Sequence, residues 1–461
     1  MIFEQHYLEC LSQASYFIGD ESTGRAVVVD PRRDIAAYLE TAAEHKMTIE
    51  LVIETHLHAD FLSGHLELAD ATGASIAYGA AANVDFDSVE LADGDLVRLG
   101  DVVLEIRHTP GHTPESISIV VYDYADDAAA YAVLTGDTLF VGDVGRPDLL
   151  SSKGVTSKEL GGRLFDSLHG QLMTLPDSTR VYPGHGAGSS CGKNLSNETW
   201  STIGDQRVNN YALAPMTKVD FIEVVTGGQN APPAYFSYDA SLNGKVRPIF
   251  DDSPPSALSL SEVVGRRDAG AAVIDTRDPS DFAAGHLKGS VNVGLAGRYA
   301  EFVGGVVDPQ QLIVLVGDDE TAHEAKTRLA RIGFDNVVGY LERPLIAFET
   351  NPGVVGRSSR VDVSGLELVM GERDDLQLID IRQPRETADG VIEGALVIPL
   401  TRLNEQLDSL DASKPTVIYC AGGFRSSIAA SRMKAAGFSD VSDLLGGYNA
   451  WKAVHMKVGV S

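Results

Sequence analysis

The chain has 461 residues, 44% of them apolar and only 7% aromatic, which suits two or three ordinary domains with separate cores rather than one. Asp and Glu number 65 against 37 Lys and Arg, and the net charge of -28 repels nucleic acid and anionic lipid over most of the surface. Screening confines that field to about 8 Å at physiological salt, so an anionic substrate requires a site built locally from arginines.

The N-terminus, "MIFEQHYLECLSQASYF", has no basic region leading into an apolar run, and no stretch approaches the ~18 consecutive apolar residues of a membrane span. These features predict a cytoplasmic protein with neither nucleic acid nor membrane as partner. Cys10, Cys191 and Cys420 are odd in number and far apart, which does not suggest a disulfide framework, so each is weighed as a thiol.

Along the first 190 residues, short apolar runs repeatedly end in ligand-type side chains: "ELVIETHLH", "VLEIRHTPGHT", "YAVLTGDTLF" and "RVYPGHGAG". These read as strands that deliver ligands at their ends. Between them, "DIAAYLETAAEH" has helical spacing with Asp34 as the expected cap, and "SGHLELADATG" reads as a helix closed by Gly73. "STIGDQRVNNYAL" suits a closing helix, and the turn-rich "RPIFDDSPPSALS" places a boundary near Asp252.

Beyond that boundary the sequence repeats itself at about a hundred residues. "AAVIDTRDPSDFAAGHLKGSVNV" parallels "LQLIDIRQPRETADGVIEGALVI", and "LIVLVGDDETAHEAKTRLARIGFDNV" parallels "TVIYCAGGFRSSIAASRMKAAGFSDV". The expected domains are 1–252, 253–356 and 357–461, the last two being diverged duplicates.

In the first domain, His56, His58, Asp60, His112, Asp137 and His185 together resemble the metallo-β-lactamase superfamily, which implies an αββα sandwich. Two-metal hydrolases of that superfamily, such as glyoxalase II, have a histidine after the aspartate of the first motif; here the position is Phe61. A phenyl ring supplies no lone pair, so a second metal site should be empty or weak. Two histidines and one carboxylate with open positions suit mononuclear non-haem Fe(II) and its reaction with O2. The domain looks most like the persulfide dioxygenases. That resemblance implies one Fe(II) per chain held by His56, His112 and Asp137, with His58, Asp60 and His185 around them. It also implies that Arg146, in "FVGDVGRPD", pairs with a carboxylate of the thiol carrier; the rival is an internal salt bridge with Asp143 or Asp148.

"YCAGGFRSS" resembles the active loop of rhodanese sulfurtransferases, with Cys420, Gly423 and Arg425 in matching positions, and implies a second α/β fold duplicated along the chain. Backbone N–H groups at a helix N-terminus would stabilise the Cys420 thiolate and then its persulfide, while Arg425 attracts an anionic donor. Counting back from the paired glycines Gly437 and Gly333 sets Val316 opposite Cys420 and Thr321 opposite Arg425, in a loop of equal length. The middle domain is thus expected to be catalytically silent, a spacer or docking surface.

The leading expectation is a persulfide dioxygenase fused to a sulfurtransferase in sulfide detoxification. Its partners would be a low-molecular-weight persulfide, glutathione-like or coenzyme A-like, with O2 and sulfite or thiosulfate; a homo-oligomer is left open. A zinc-dependent thioester hydrolase with accessory rhodanese modules is the alternative, and a non-catalytic persulfide sensor a third. Cys191, six residues after His185, is expected to be a functional thiol at the mouth of the iron site, its pKa lowered by backbone N–H groups and Lys193.

Overall fold

The computed structural model describes residues 1–149, 154–388 and 390–456. The chain divides into two compact units, one formed by Met1–Pro232 with Phe236–Asp251, the other by Pro233–Tyr235 with the chain from Asp252 on. No helix among the described residues is long and apolar enough to cross a membrane.

In the first unit, alternating side chains make two six-stranded sheets apolar on both faces. One sheet runs Ile2–Leu8, Gln13–Asp20, Arg25–Val29, Thr48–Glu54, Ser75–Gly79 and Val89–Leu91 in spatial order. The other runs Ser201–Thr202, Arg180–Pro183, Ala132–Gly136, Ile117–Tyr122, Val103–His108 and Leu96–Arg98. Tyr16, Ile18, Val27 and Ile53 of the first sheet meet Leu104, Ile119, Val121 and Leu134 of the second in the central core. The period of two turns the intervening residues outward. Phe17, Val28 and Val52 pack under helices Ala36–Glu44 and His65–Thr72, and Val120, Val133 and Val181 under helices Ser157–Ser167 and Lys218–Thr226. The result is an αββα sandwich.

Gly73, left-handed at φ 74°, closes its helix. Asp34 does not cap the preceding one: Ile35 occupies that position without a side-chain cap, and Asp34 pairs with Arg32 at 3.1 Å. The segment expected to close the domain does not close it either. It forms helix Ile203–Asn209, after which Lys218–Thr226 buries Phe221 and Val225, and Phe236–Leu242 follows in the same unit.

The second unit holds two five-stranded parallel sheets of one topology. In spatial order the first is Ala257–Leu258, Val337–Leu341, Ile313–Val316, Ala272–Asp275 and Val291–Asn292; the second is Ser359–Val361, Val441–Leu444, Thr416–Tyr419, Gln377–Asp380 and Leu396–Val397. The hydrogen bonds also correspond. Asp275 pairs with Val316, and Asp380 with Tyr419; Thr276 N–H donates to Val316 O and Ile381 N–H to Tyr419 O, each at 3.0 Å.

This register corrects the count made from the sequence. Val316 matches Tyr419, so Gly317 and not Val316 follows the strand where Cys420 does. Only Gly317 and Asp318 separate strand Ile313–Val316 from helix Asp319–Ala330, whereas Cys420 to Gly423, four residues, separate Thr416–Tyr419 from Phe424–Ala435. The middle loop is two residues shorter, and Glu320, not Thr321, takes the helical position of Arg425. Val316→Cys is therefore expected to create no thiosulfate-dependent sulfur transfer in a Cys420→Ser background: Val316 is fully buried within the strand, and no loop surrounds it.

Candidate metal centre and sulfur-transfer site

The strand ends place six ligand-type residues on one edge of the sandwich. His56, His58 and Asp60 follow Thr48–Glu54, His112 follows Val103–His108, Asp137 follows Ala132–Gly136, and His185 follows Arg180–Pro183. His56 Nε2, His112 Nε2 and a carboxylate oxygen of Asp137 converge, with all three donor atoms within 4.8 Å of one another. Asp137 Oδ2 lies 3.9 Å from His56 Nε2 and 3.5 Å from His112 Nε2.

The remaining atoms of this triad are already committed. Thr55 Oγ1 gives its one hydrogen to Asp30 Oδ2 at 2.8 Å, so toward His56 Nδ1, at 2.9 Å, it can only accept. His56 therefore carries its proton on Nδ1 and keeps a lone pair on Nε2. His112 Nδ1 donates to the Arg146 carbonyl at 3.0 Å, with the same consequence. Asp137 Oδ1 accepts from His185 Nδ1 at 2.8 Å. Left over are His56 Nε2 and Asp137 Oδ2, both buried and without a hydrogen-bond partner among the described residues. Buried polar groups are rarely left so, and two imidazole lone pairs facing a carboxylate fit one divalent cation. Burial and the neighbouring His58 charge hold His56 well below the usual imidazole pKa, as a ligand needs. Although burial opposes it, His185 on Asp137 Oδ1 holds the Asp137 carboxyl well below the ordinary range.

The other three candidates stand around this triad. His185 lies between two carboxylates, with Nδ1 on Asp137 and Nε2 2.7 Å from Asp60 Oδ2. Burial disfavours its charge, but the two carboxylates outweigh that and raise its pKa well above the ordinary value. Asp60, His185 and Cys191 also cluster within 4.8 Å. His185 Nε2, like His56 Nε2, is buried without a hydrogen-bond partner among the described residues, so this group is a second set of possible ligands, one whose histidine is flanked by two carboxylates. Phe61 is buried, its ring centre 4.3 Å from that of His58 and 6.4 Å from that of His185. His58 Nε2 sits 3.1 Å from Asp30 and 3.2 Å from Glu54, and these outweigh burial to raise its pKa to about 10. The two carboxylates thus favour its charged form.

Thus Asp30, held by His58, fixes Thr55, and Thr55 fixes His56. Thr55→Val should lower metal affinity by roughly 10–100-fold, the usual cost of losing such an outer partner; metal content after dialysis against a graded chelator measures it. Gly145 is equally constrained. A Cβ there would fall 1.8 Å from the Asp137 carbonyl oxygen and 3.1 Å from His112 Cβ, so Gly145→Ala should displace two ligands and empty the site in the same assay.

In the second unit, Cys420 is buried at the end of its strand, and the Gly423 N–H points at its sulfur at 3.1 Å. Gly423 has φ 97°, a left-handed conformation that turns the chain into helix Phe424–Ala435. No side chain caps that helix, and Ser426 Oγ lies 3.6 Å from the sulfur. From behind, Tyr448 N–H donates to the Cys420 carbonyl at 2.7 Å and Asn449 N–H to Ala421 O at 3.0 Å. Arg425 forks onto Glu386 with bonds of 2.7 and 2.6 Å. In the middle sheet the equivalent helix end is filled by Asp318, which accepts from Thr321 N–H at 2.8 Å in a capping box. A carboxylate thus caps this helix, where the last domain has no side-chain cap.

Residues 8–185 match the metallo-beta-lactamase superfamily, and residues 259–345 and 366–454 each match the rhodanese-like domain. A crystal structure of a metallo-β-lactamase from Staphylococcus aureus is 32% identical with a TM-score of 0.69, covering 74% of this chain and 99% of that one. The chain belongs to the metallo-β-lactamase superfamily. It joins a domain of that superfamily to two rhodanese-like domains, and its relatives include persulfide dioxygenases. The human mitochondrial persulfide dioxygenase ETHE1 is 28% identical over 228 residues, 47% of this chain and 77% of the human protein. The cytoplasmic hydroxyacylglutathione hydrolase of Arabidopsis thaliana is 34% identical over 182 residues, 39% of this chain and 66% of that protein.

Two site expectations need correction in this superfamily member. For Arg146 the rival reading, an internal salt bridge, is the one found: the side chain is buried, forks onto Asp148 with two 2.7 Å bonds and donates to the carbonyls of Ser190 and Asn230. Its contribution to the centre is its own carbonyl, on His112. Cys191 lies beside Asp60 and His185, but Lys193 does not activate it, because the ammonium donates to the Val224 carbonyl. Burial, with Asp60 and Asp137 near it, pushes the thiol pKa well up. The sequence signal for the Asp30–Thr55 support was present only as "VVVDP" and "ETH", two strand ends that nothing in one dimension brings together.

Proposed function

We propose that the first domain oxidises a thiol-carried persulfide with O2 at a single Fe(II), and that the last domain moves sulfane sulfur through Cys420. The observation that carries the first part is the converging, otherwise unpartnered His56, His112 and Asp137, beside a Phe61 that fills the region where a second ion would need a ligand. Iron held there would supply the redox centre at which persulfide and O2 meet.

The balance of the reaction is a persulfide, O2 and water going to a thiol, sulfite and two protons. The S–S bond breaks, and the terminal sulfur loses four electrons to O2. In this reaction the chain holds three ligand atoms in fixed protonation states and keeps His185 charged between Asp137 and Asp60. The thiol of Cys191 stands beside the same group, and its proposed role is to meet the sulfur end of the substrate. Cys191→Ser should keep its metal and lose much of the coupled thiosulfate formation; unchanged coupling would leave Cys191 a packing residue.

In the last domain, a Cys420 persulfide would be attacked on its outer sulfur by the sulfite lone pair. The S–S bond breaks, thiosulfate leaves, and the Cys420 thiolate remains against the Gly423 N–H and the helix N-terminus. The middle domain, its helix end filled by Asp318, carries no such step. Together the two activities place the protein in sulfide metabolism.

A thioester hydrolase is the second reading, favoured by the hydroxyacylglutathione hydrolase relative, with Phe61 against it. O2 uptake with glutathione and coenzyme A persulfides, set against hydrolysis of their thioesters, separates the two.

A further inference from the structure

The chain returns to the metal loop long after the strands that carry the ligands have ended. Helix Phe236–Leu242 belongs to the first unit, and the residue after it, Asn243, is fully buried. Its side chain is bound to one stretch of backbone. Asn243 Nδ2 donates to the carbonyls of His58 and Phe61, each at 2.8 Å, and Asn243 Oδ1 accepts from Ser63 N–H at 2.8 Å. Two carbonyls need the nitrogen and one N–H needs the oxygen, so the amide fits in a single orientation. Neither the His58 and Phe61 carbonyls nor the Ser63 N–H could be matched by an apolar residue at this position.

The stretch held in this way, residues 58–63, is where two supports of the metal triad begin. His58 Nε2 stands 3.1 Å from Asp30, which fixes Thr55 and through it His56. Asp60 Oδ2 stands 2.7 Å from His185 Nε2, and His185 Nδ1 donates to Asp137. One amide thus braces the backbone from which both His56 and Asp137 are oriented. The chain after Asn243 is fastened to the same region. Arg247 donates to the Ser63 carbonyl and forks onto Glu67 with bonds of 2.6 and 3.0 Å, and Glu67 also accepts from Arg33 at 2.9 Å and from Phe250 N–H at 3.2 Å. Asn243 lies beyond residue 185, where the match to the metallo-beta-lactamase superfamily ends.

We propose that Asn243 is a positioning residue of the metal centre, which sets the loop of His58 and Asp60 so that His56 and Asp137 meet in ligand geometry. The inference rests on the reading of His56, His112 and Asp137 as metal ligands, and not on which metal or substrate they take. A residue outside the matched domain is then needed for the shape of its metal site.

The test loads the full chain and its Asn243→Asp and Asn243→Ala variants with Co(II), whose visible absorption reports ligand geometry, and measures affinity against a graded chelator. Asn243→Asp keeps the shape and the acceptor for Ser63 N–H but turns an oxygen toward two carbonyls; Asn243→Ala removes the donors without adding charge. Both should lose roughly 10–100-fold in Co(II) affinity, the usual cost of an outer partner, and both should show a changed spectrum at saturating Co(II). An unchanged spectrum overturns the proposal even where affinity or melting temperature falls, because a weakened fold lowers affinity without moving the ligands. A change in Asn243→Asp alone traces the effect to the added charge and overturns it as well. If neither variant folds, hydrogen exchange of the unaltered chain decides: Co(II) should slow exchange in residues 58–63 and in residues 236–246 together, and exchange left unchanged in the second stretch overturns the proposal. An unaltered chain that binds no Co(II) instead overturns the reading of the triad as ligands, and this inference with it.

Discussion

Asp137→Asn is expected to abolish persulfide-dependent O2 uptake, a loss well beyond the roughly 10–100-fold that follows removal of an outer partner. The substitution removes the one anionic ligand of the triad and also leaves His185, raised in pKa by Asp137 and Asp60, with half of its charge balance. A buried charge that loses its partner destabilises by about 3–5 kcal/mol, so loss of fold must be distinguished from loss of metal. His112→Ala makes that distinction, because it deletes a ligand while leaving the His185–Asp137 contact intact. Both variants should lose metal and O2 uptake and keep sulfur transfer at Cys420, which belongs to the other compact unit. Loss of both activities in both variants would mean that the two units do not work separately.

Cys420→Ser should remove thiosulfate-dependent sulfur transfer while O2 uptake with an added persulfide continues. The serine hydroxyl can accept the Gly423 hydrogen bond but cannot form a persulfide. The middle domain offers no substitute, with two loop residues missing and Asp318 at its helix end. Sulfur transfer at the unaltered rate in Cys420→Ser would show that another thiol is the carrier.

The candidate ligands were legible because each follows an apolar run, and strand ends on one edge of a sandwich meet. The strand and helix signals marked an α/β domain, and the αββα architecture came from the resemblance of the whole motif set to the metallo-β-lactamase superfamily. What one dimension hides is support from a distance. Asp30 and Thr55 are 25 residues apart, and their 2.7 and 2.8 Å contacts exist only once strands Arg25–Val29 and Thr48–Glu54 lie side by side. For Arg146 two readings stayed open for a related reason: a guanidinium near a site looks available until Asp148, Ser190 and Asn230 are seen to occupy it. The loop comparison failed by compensation. The middle loop lacks two residues, but the chain has one extra between its helix and Gly333, so counting back from the glycine pair conceals half the deficit.

The central claim is that one redox metal, not two hydrolytic ones, works at His56, His112 and Asp137. Metal analysis joined to an oxygen-electrode assay on one preparation tests it most directly, with glutathione persulfide and coenzyme A persulfide as substrates and sulfite measured as product. The account predicts about one iron per chain and one O2 consumed per sulfite formed. Two tightly held zinc ions per chain, with thioester hydrolysis and no O2 uptake, would contradict it.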